Sequence, residues 1–267
     1  MNKTAKTFTG VVLAADRGPG DPLARTAGAP CKSFVSLGGR PMVLRVLDTL
    51  AGAREVSSLA VCGPSEDLLA QEPELLSRIN AGKIRWIPPQ STPSASTYHV
   101  LEGLSPDAPV LVTTADHAFL TAEIVDFFCS KARATGCDVV AGLAPHEQVI
   151  RAFPQTRRTA TRMSDGAFCS CNLFAFLTPR ARRAAEFWQK CERNRKKPWR
   201  MIRAIGWPTL LRYLLGRLSL NEGLDRVSTR MKAKAGAVIL PFPEAAVDVD
   251  TVSDWRIVEE IIAGRVL

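Results

Sequence analysis

Lys32 is the residue around which a chemistry can be built. It follows a loop of glycine, proline and charge (Asp16, Arg17, Gly18, Pro19, Gly20, Asp21, Pro22, Leu23, Ala24, Arg25), and that loop leaves an apolar run, Gly10 to Ala15. A buried strand that opens into such a loop can turn backbone N–H groups toward an anion, and Arg17, Arg25 and Lys32 supply cations to neutralise phosphates. Carboxylates suited to the same ligand stand far along the chain. Asp116 ends the apolar run Pro109–Ala115, and Asp248, Asp250 and Asp254 lie in one short stretch, Asp248-Val249-Asp250-Thr251-Val252-Ser253-Asp254. Two distant carboxylates converging on one cleft, beside a phosphate-binding loop, describe a site for a divalent cation shared with nucleotide phosphates. Two other phosphate motifs are absent: no glycine-rich run ends in Gly-Lys-Ser/Thr, and the glycines do not form the three-glycine turn of a dinucleotide site.

Alternating strand-like and helix-like segments must bring these residues together. Strands are expected at Gly10–Ala15, Ser58–Gly63, Lys83–Ile87, Pro109–Ala115, Asp138–Leu143, Arg157–Met163, Cys171–Leu177, Ala237–Leu240 and Ala246–Asp250. Helices are expected to open after Gly39, with Pro41 at the first helical position, over Leu68–Asn80, from the loop Pro88–Ser96 through Leu104, and over Thr121–Ala134 and Val252–Ile262. This order predicts an α/β fold, a mixed but mostly parallel sheet with helices on both faces. A carboxylate at the C-terminal tip of a parallel strand faces the crevice where such sheets bind ligands, which suits Asp116. The run Ser94-Ala95-Ser96 sits at a helix N-terminus, a place for an anion or a base edge, or simply a helix cap. With 267 residues the chain can bury one core, and it reads as a single domain over 1–267 with a helical section at 180–235 inside it.

The net charge of +9 is concentrated. Arg180 to Arg217 holds twelve Lys/Arg and two Glu, a net of +10, which leaves the rest of the chain at −1. That distribution argues against a general nucleic-acid binder. Seven cysteines include no C-x-x-C pair and read as reduced, mostly buried thiols. No apolar run is long enough to span a membrane, and the N-terminus lacks the pattern of a signal peptide, so the expected location is cytoplasmic.

The motifs together resemble those of the MobA-like nucleotidyltransferases of GT-A type, Rossmann-like α/β fold. The family opens with an apolar strand, small residues, a Gly/Arg loop, Pro-Lys and Gly-Arg-Pro-Met. Here the run is Leu13-Ala14-Ala15-Asp16, Arg17-Gly18-Pro19-Gly20, Cys31-Lys32 and Gly39-Arg40-Pro41-Met42. Thr114-Ala115-Asp116 and Asp250-Thr251-Val252-Ser253-Asp254 match its two carboxylate motifs. The resemblance covers Gly10 to Leu177 and Val238 to Ile262. Asp16 stands where glycine is usual, and Cys31 stands for the proline before the lysine.

The resemblance implies transfer of a nucleoside monophosphate from a nucleoside triphosphate to a phosphorylated acceptor, small or lipid-linked, with Mg²⁺ or Mn²⁺ and release of pyrophosphate. Leu13, Ala14, Ala15, Asp16, Arg17, Ser94 and Ser96 would then hold the nucleotide, Lys32 and Arg25 would act on the phosphates, and Asp116 and Asp250 would ligate the metal. Asn172 contacts the acceptor or satisfies a turn. Two alternatives stay open: a nucleotide-sugar-dependent glycosyltransferase, and a non-catalytic nucleotide-binding regulator. The basic section reads as a lid or acceptor-binding unit, as a patch for anionic lipid at the membrane periphery, or as a solvated helical insertion or dimer contact.

Overall fold

The computed structural model describes residues 7–15, 20–156, 158–194 and 206–265. Strand β1 (Phe8–Leu13) is flanked by β4 (Val56–Cys62) and β6 (Val110–Thr114), both parallel to it. Beyond β4 lies β5 (Arg85–Ile87), also parallel. On the other side β9 (Gly166–Phe176) runs antiparallel to β6 and to β7 (Val139–Pro145), and β10 (Ala235–Ile239) forms that edge, parallel to β7. The order is β10-β7-β9-β6-β1-β4-β5, with β8 (Thr161–Met163) paired to β9.

The sheet is covered on both faces, which explains the near-continuous apolar runs of its central strands. Phe8, Val12, Val61 and Leu111 pack with Val43, Leu44, Leu47 and Leu50 of α2 (Met42–Gly52) and with Ile124, Val125 and Phe128 of α6 (Ala122–Ala134), in a cluster that also takes in Val149 of α7 (His146–Ala152). The alternate residues Val11, Leu13, Ala60, Val110 and Val112 pack the other way, with Val100 and Leu101 of α5 (Pro93–Gly103) and Ala185 of α8 (Arg182–Asn194). A third cluster joins Leu23, Ala24, Val35, Leu37, Ala118, Val247, Val249 and Val258. It draws together α1 (Pro22–Thr26), a small hairpin of β2 (Ser36–Leu37) and β3 (Arg40–Pro41), the chain after Asp116, and α11 (Val252–Ile262).

Several boundaries differ from the sequence expectation. The helix expected over Leu68–Asn80 is two, α3 (Glu66–Leu69) and α4 (Pro73–Asn80), because Pro73 cannot continue one helix but readily starts the next. Pro41 lies before α2, in the hairpin, where Gly38 and Gly39 take positive φ (58° and 80°) and make the tight turn. Arg40 there pairs with Asp48 at 2.5 Å and with Glu74 at 2.8 Å, so it ties the hairpin to α2 and α4. The expected strand Ala246–Asp250 joins no sheet. A single turn of 3₁₀ helix, Pro243–Ala246, leads into an extended stretch whose tie to the sheet's end is Val249 N–H to Asp116 O at 3.0 Å. Between β9 and β10 the chain is helical: α8, α9 (Trp207–Leu214) and α10 (Leu220–Met231).

Gly63 is the backbone hinge on which the cleft wall rests. Its φ is +91°, and a Cβ there would lie 2.8 Å from Ala15 N and 2.9 Å from Ala14 O. Neither contact can relax by turning a side chain, since both are backbone. Gly63→Ala is therefore expected to lose about 1–3 kcal/mol of stability in urea unfolding, through strained φ and displacement of the Ala14–Ala15 peptide.

Candidate active site

The C-terminal ends of β1 and β6 open into a cleft of about 430 Å³, lined among others by Leu13, Ala14, Ala15, Lys32, Thr114 and Asp116. The opposite wall is the loop before α5, with Gln90, Ser91, Thr92 and Pro93, and the helix residue Ser96. Two bonds hold that wall. Thr92 caps α5 by accepting from Ala95 N at 3.2 Å, and Ser96 Oγ accepts from Gln90 N at 2.9 Å. The strand β4 presses Gly63 against the Ala14–Ala15 backbone from behind.

Lys32 lies in a short 3₁₀ turn, Lys32–Phe34, with its side chain buried. Its Nζ donates to Asp116 Oδ2 at 2.5 Å and to Asp250 Oδ1 at 2.6 Å. Burial opposes the charge, but the two carboxylates outweigh it and hold the ammonium above the usual lysine value. The sequence separation is 84 residues to Asp116 and 218 to Asp250, so only the folded sheet can assemble the trio. The third apolar cluster holds it from below, since Val35, Ala118 and Val249 lie within three residues of its members. Asp116 Oδ1 is buried with no hydrogen-bond partner.

A second cluster adjoins the first and was not foreseen as a unit. Arg158, buried, pairs with Asp248, donates from Nη2 to Asp248 O at 2.6 Å and lies 3.8 Å from Asp254 Oδ1. Burial pulls its guanidinium below the usual value, and the charges of Asp254, Asp250 and Asp116 oppose that shift. Asn172 joins by donating from Nδ2 to Asp248 Oδ2 at 3.0 Å. Its φ of 49° is the left-handed conformation that asparagine tolerates, at an irregularity in the β7–β9 pairing. Asp254 caps α11: its carboxylate accepts from Thr251 N at 2.9 Å while Thr251 Oγ1 accepts from Asp254 N at 3.2 Å. Val247 and Val249 are buried, so Asp248 and Asp250 share the other side of the extended chain; Asp248 goes to Arg158 and Asn172, and Asp250 to Lys32.

The structure thus gathers Leu13, Ala14, Ala15, Lys32, Ser96, Asp116 and Asp250 around one cleft, with Asn172 in the adjoining cluster. It does not bring in Ser94 or Arg25. Ser94 is buried and bonded through both its N–H (3.2 Å) and its hydroxyl to the carboxylate of Glu192 on α8, so the anion at the α5 N-terminus is the protein's own. The helix cap is Thr92, two residues before it. Arg25 is exposed on α1 and does not line the cleft, because Asp21 caps that helix and turns Leu23 and Ala24, not Arg25, into the core. Asp16 and Arg17 lie outside the described residues. His117, beside Asp116, is fully buried and pushed down to about 4 by burial, against the pull of Asp116; it shares a 3.3 Å bond with Thr113 and is neutral in the core. All seven cysteines are free thiols. Arg158 carried no sequence signal: it fell in the expected strand Arg157–Met163, of which the structure forms only β8 (Thr161–Met163), and one arginine there is indistinguishable from a solvated charge.

A mostly parallel sheet with a cleft at the strand ends, one lysine and two separated carboxylates defines a class of nucleotide-handling α/β transferases. The chain belongs to the MobA-like NTP transferase domain family, which it matches over residues 10–234. That span includes the helices between β9 and β10. A hypothetical transferase from Thermus thermophilus is 30% identical, with 93% of this chain and 100% of that one covered and a TM-score of 0.75. A 4-diphosphocytidyl-2C-methyl-D-erythritol synthase from Anaerococcus prevotii shares the fold at 14% identity and a TM-score of 0.57, over 96% of each chain. So does a CMP:2-keto-3-deoxy-manno-octonic acid synthetase solved with CTP, at 12% identity and a TM-score of 0.57, over 97% of this chain and 100% of that one. No curated protein matches the sequence.

The two serines of the α5 terminus separate in experiment. Ser94→Ala is expected to lower stability by about 1–2 kcal/mol, leaving the Glu192 carboxylate short of a donor. It should leave the affinity for a nucleoside triphosphate, read by titration calorimetry, within error of the parent. Ser96→Ala frees the Gln90 loop and is expected to weaken nucleotide binding.

Proposed function

We propose that this protein transfers a nucleoside monophosphate from a nucleoside triphosphate to a phosphorylated acceptor, releasing pyrophosphate. One observation carries the reading: the Lys32 ammonium, buried between Asp116 and Asp250, at the mouth of a cleft walled by the Leu13–Ala15 backbone and the α5 loop. The cleft offers peptide groups and hydroxyls to a base and ribose at one end and a fixed cation at the other. A phosphomonoester acceptor is already ionised near neutral pH, so attack on the α-phosphorus needs no general base. The neutral, buried His117 is consistent with that. What remains for the protein is positioning and charge neutralisation.

The donor set fits a hard divalent cation. Lys32 and Arg158 set two positive charges against the four carboxylates of Asp116, Asp248, Asp250 and Asp254, an excess of two negative charges. The buried, unpartnered Asp116 Oδ1 is an oxygen donor in reserve. Mg²⁺ or Mn²⁺ held by one or two carboxylates would be completed by substrate phosphates and water. Asp116 and Asp250 would hold it, and bound there it would neutralise charge on the triphosphate. Lys32 would exchange a carboxylate for a phosphate oxygen as the nucleotide enters, and would carry its positive charge to the triphosphate. Arg158, held by Asp248 and Asp254 beside the same acidic cluster, would orient the acceptor's phosphate together with Asn172.

Pyrophosphate release, measured with a panel of nucleoside triphosphates and phosphorylated acceptors, tests the reading. CTP heads the panel, since the octonic acid synthetase of this fold was solved with it. Lys32→Ala and Asp116→Ala are each expected to cost about 10²–10³ in rate with the fold intact by circular dichroism. Near-parental turnover in either would sink the mechanism. Exhaustive chelation is expected to abolish activity, and Mg²⁺ or Mn²⁺ to restore it; full turnover in the chelated protein would contradict the metal's role.

A further inference from the structure

Helix α9 turns its apolar side to solvent. At about 3.6 residues per turn, Trp207, Leu211, Leu214 and the following Leu215 fall on one stripe. They are 57%, 46%, 70% and 59% exposed. The opposite side carries Thr209, which is buried and accepts a hydrogen bond from Arg226 of α10 at 3.2 Å. Arg212 adds an ion pair to Glu222 at 2.9 Å. The helix is therefore docked on α10 by polar bonds, the reverse of the arrangement that burial of apolar surface selects. A contiguous exposed stripe of this kind, unlike scattered single leucines, marks a surface that meets something else.

Charge says what that is. Between Arg193 and Asn221 the sequence holds eight Lys/Arg and no Asp or Glu. Of the cations in the described part, Arg217 is exposed two residues past Leu215. Tryptophan and leucine on one stripe within a wholly cationic stretch are the composition of a helix that lies in the headgroup layer of an anionic bilayer. A self-contact between two copies would bring this stretch against its own charge. No described helix is long and apolar enough to cross a membrane, so any contact of α9 is peripheral. We propose that α9 docks the protein on an anionic membrane surface, with Trp207, Leu211, Leu214 and Leu215 entering the headgroup–acyl boundary and Arg217 meeting lipid phosphates.

The test is co-sedimentation of the full chain with phosphatidylcholine vesicles, with and without phosphatidylglycerol, and light scattering of the protein alone. The parent is expected to pellet with the anionic vesicles at low salt, to be released by high salt, and to stay in solution with phosphatidylcholine alone. The double variant Leu211→Glu, Leu214→Glu is expected to remain in the supernatant while keeping its circular dichroism and its nucleotide turnover, both side chains being exposed and outside the cleft. Failure of the parent to pellet, or pelleting of the variant to the same extent, overturns the proposal. A parent that is dimeric and ignores vesicles, with a monomeric variant, overturns it too and assigns the stripe to a contact between copies.

Discussion

The ammonium of Lys32 between two carboxylates is the interaction to which the rest of the site answers. A lysine taken out of water loses hydration worth several kcal/mol, and it stays charged only where partners replace that hydration closely. Asp116 and Asp250 do so at 2.5 and 2.6 Å. Each comes from a different part of the chain, so the fold has to hold three backbones in register to keep one charge satisfied. Asp116 follows β6, itself tied to β1 by Ala115 N to Leu13 O at 3.0 Å. Asp250 is fixed by Val249 N to Asp116 O and by the cap of α11. Lys32 is fixed by Val35 and Leu37 in the same apolar cluster, with Trp255 Nε1 of α11 donating to Ser36 O at 3.0 Å.

Much of this was legible in the sequence because it rests on elements with strong local signals. The apolar runs Val11–Leu13 and Val110–Val112 can only be buried strands, and a carboxylate just past such a strand has few places to go but the crevice. The Asp250-Thr251-x-x-Asp254 capping box is written in residue types alone. Lys32 and Asp116 met where the strand order required. What the sequence did not show is direction. Ser94 and Ser96 look alike in a string, yet one faces Glu192 and the other the cleft, a difference set by helical phase and by a partner 98 residues away. Arg25 lies on the same short helix as the buried Leu23 and Ala24, and periodicity over five residues does not decide which side is inward. Arg158 shows the same limit from the other side: a buried arginine becomes visible only once Asp248 and Asp254 are placed around it.

Ser94 and Glu192 also change how the helical segment relates to the cleft. A basic section read from sequence looks detachable, a separate module whose cations meet a substrate. In the fold, an acidic residue of α8 fills the α5 N-terminus, and Phe174 of β9 packs on Trp188 at 5.7 Å. The segment is thereby keyed to the wall that carries Gln90 to Ser96 through a carboxylate, and Arg182 of the same helix adds an ion pair to Glu102 of α5 at 3.4 Å. Helix α9 follows the same logic further out: its polar side is spent on Arg226 of α10, and its apolar side is left over. Two faces of one segment are thus committed in opposite senses, one inward through a buried acid and one outward through exposed leucines. A helix that packed for stability alone would have buried Leu211 and Leu214 and solvated Thr209, and this inverted phase is the observation on which the proposed docking of α9 rests.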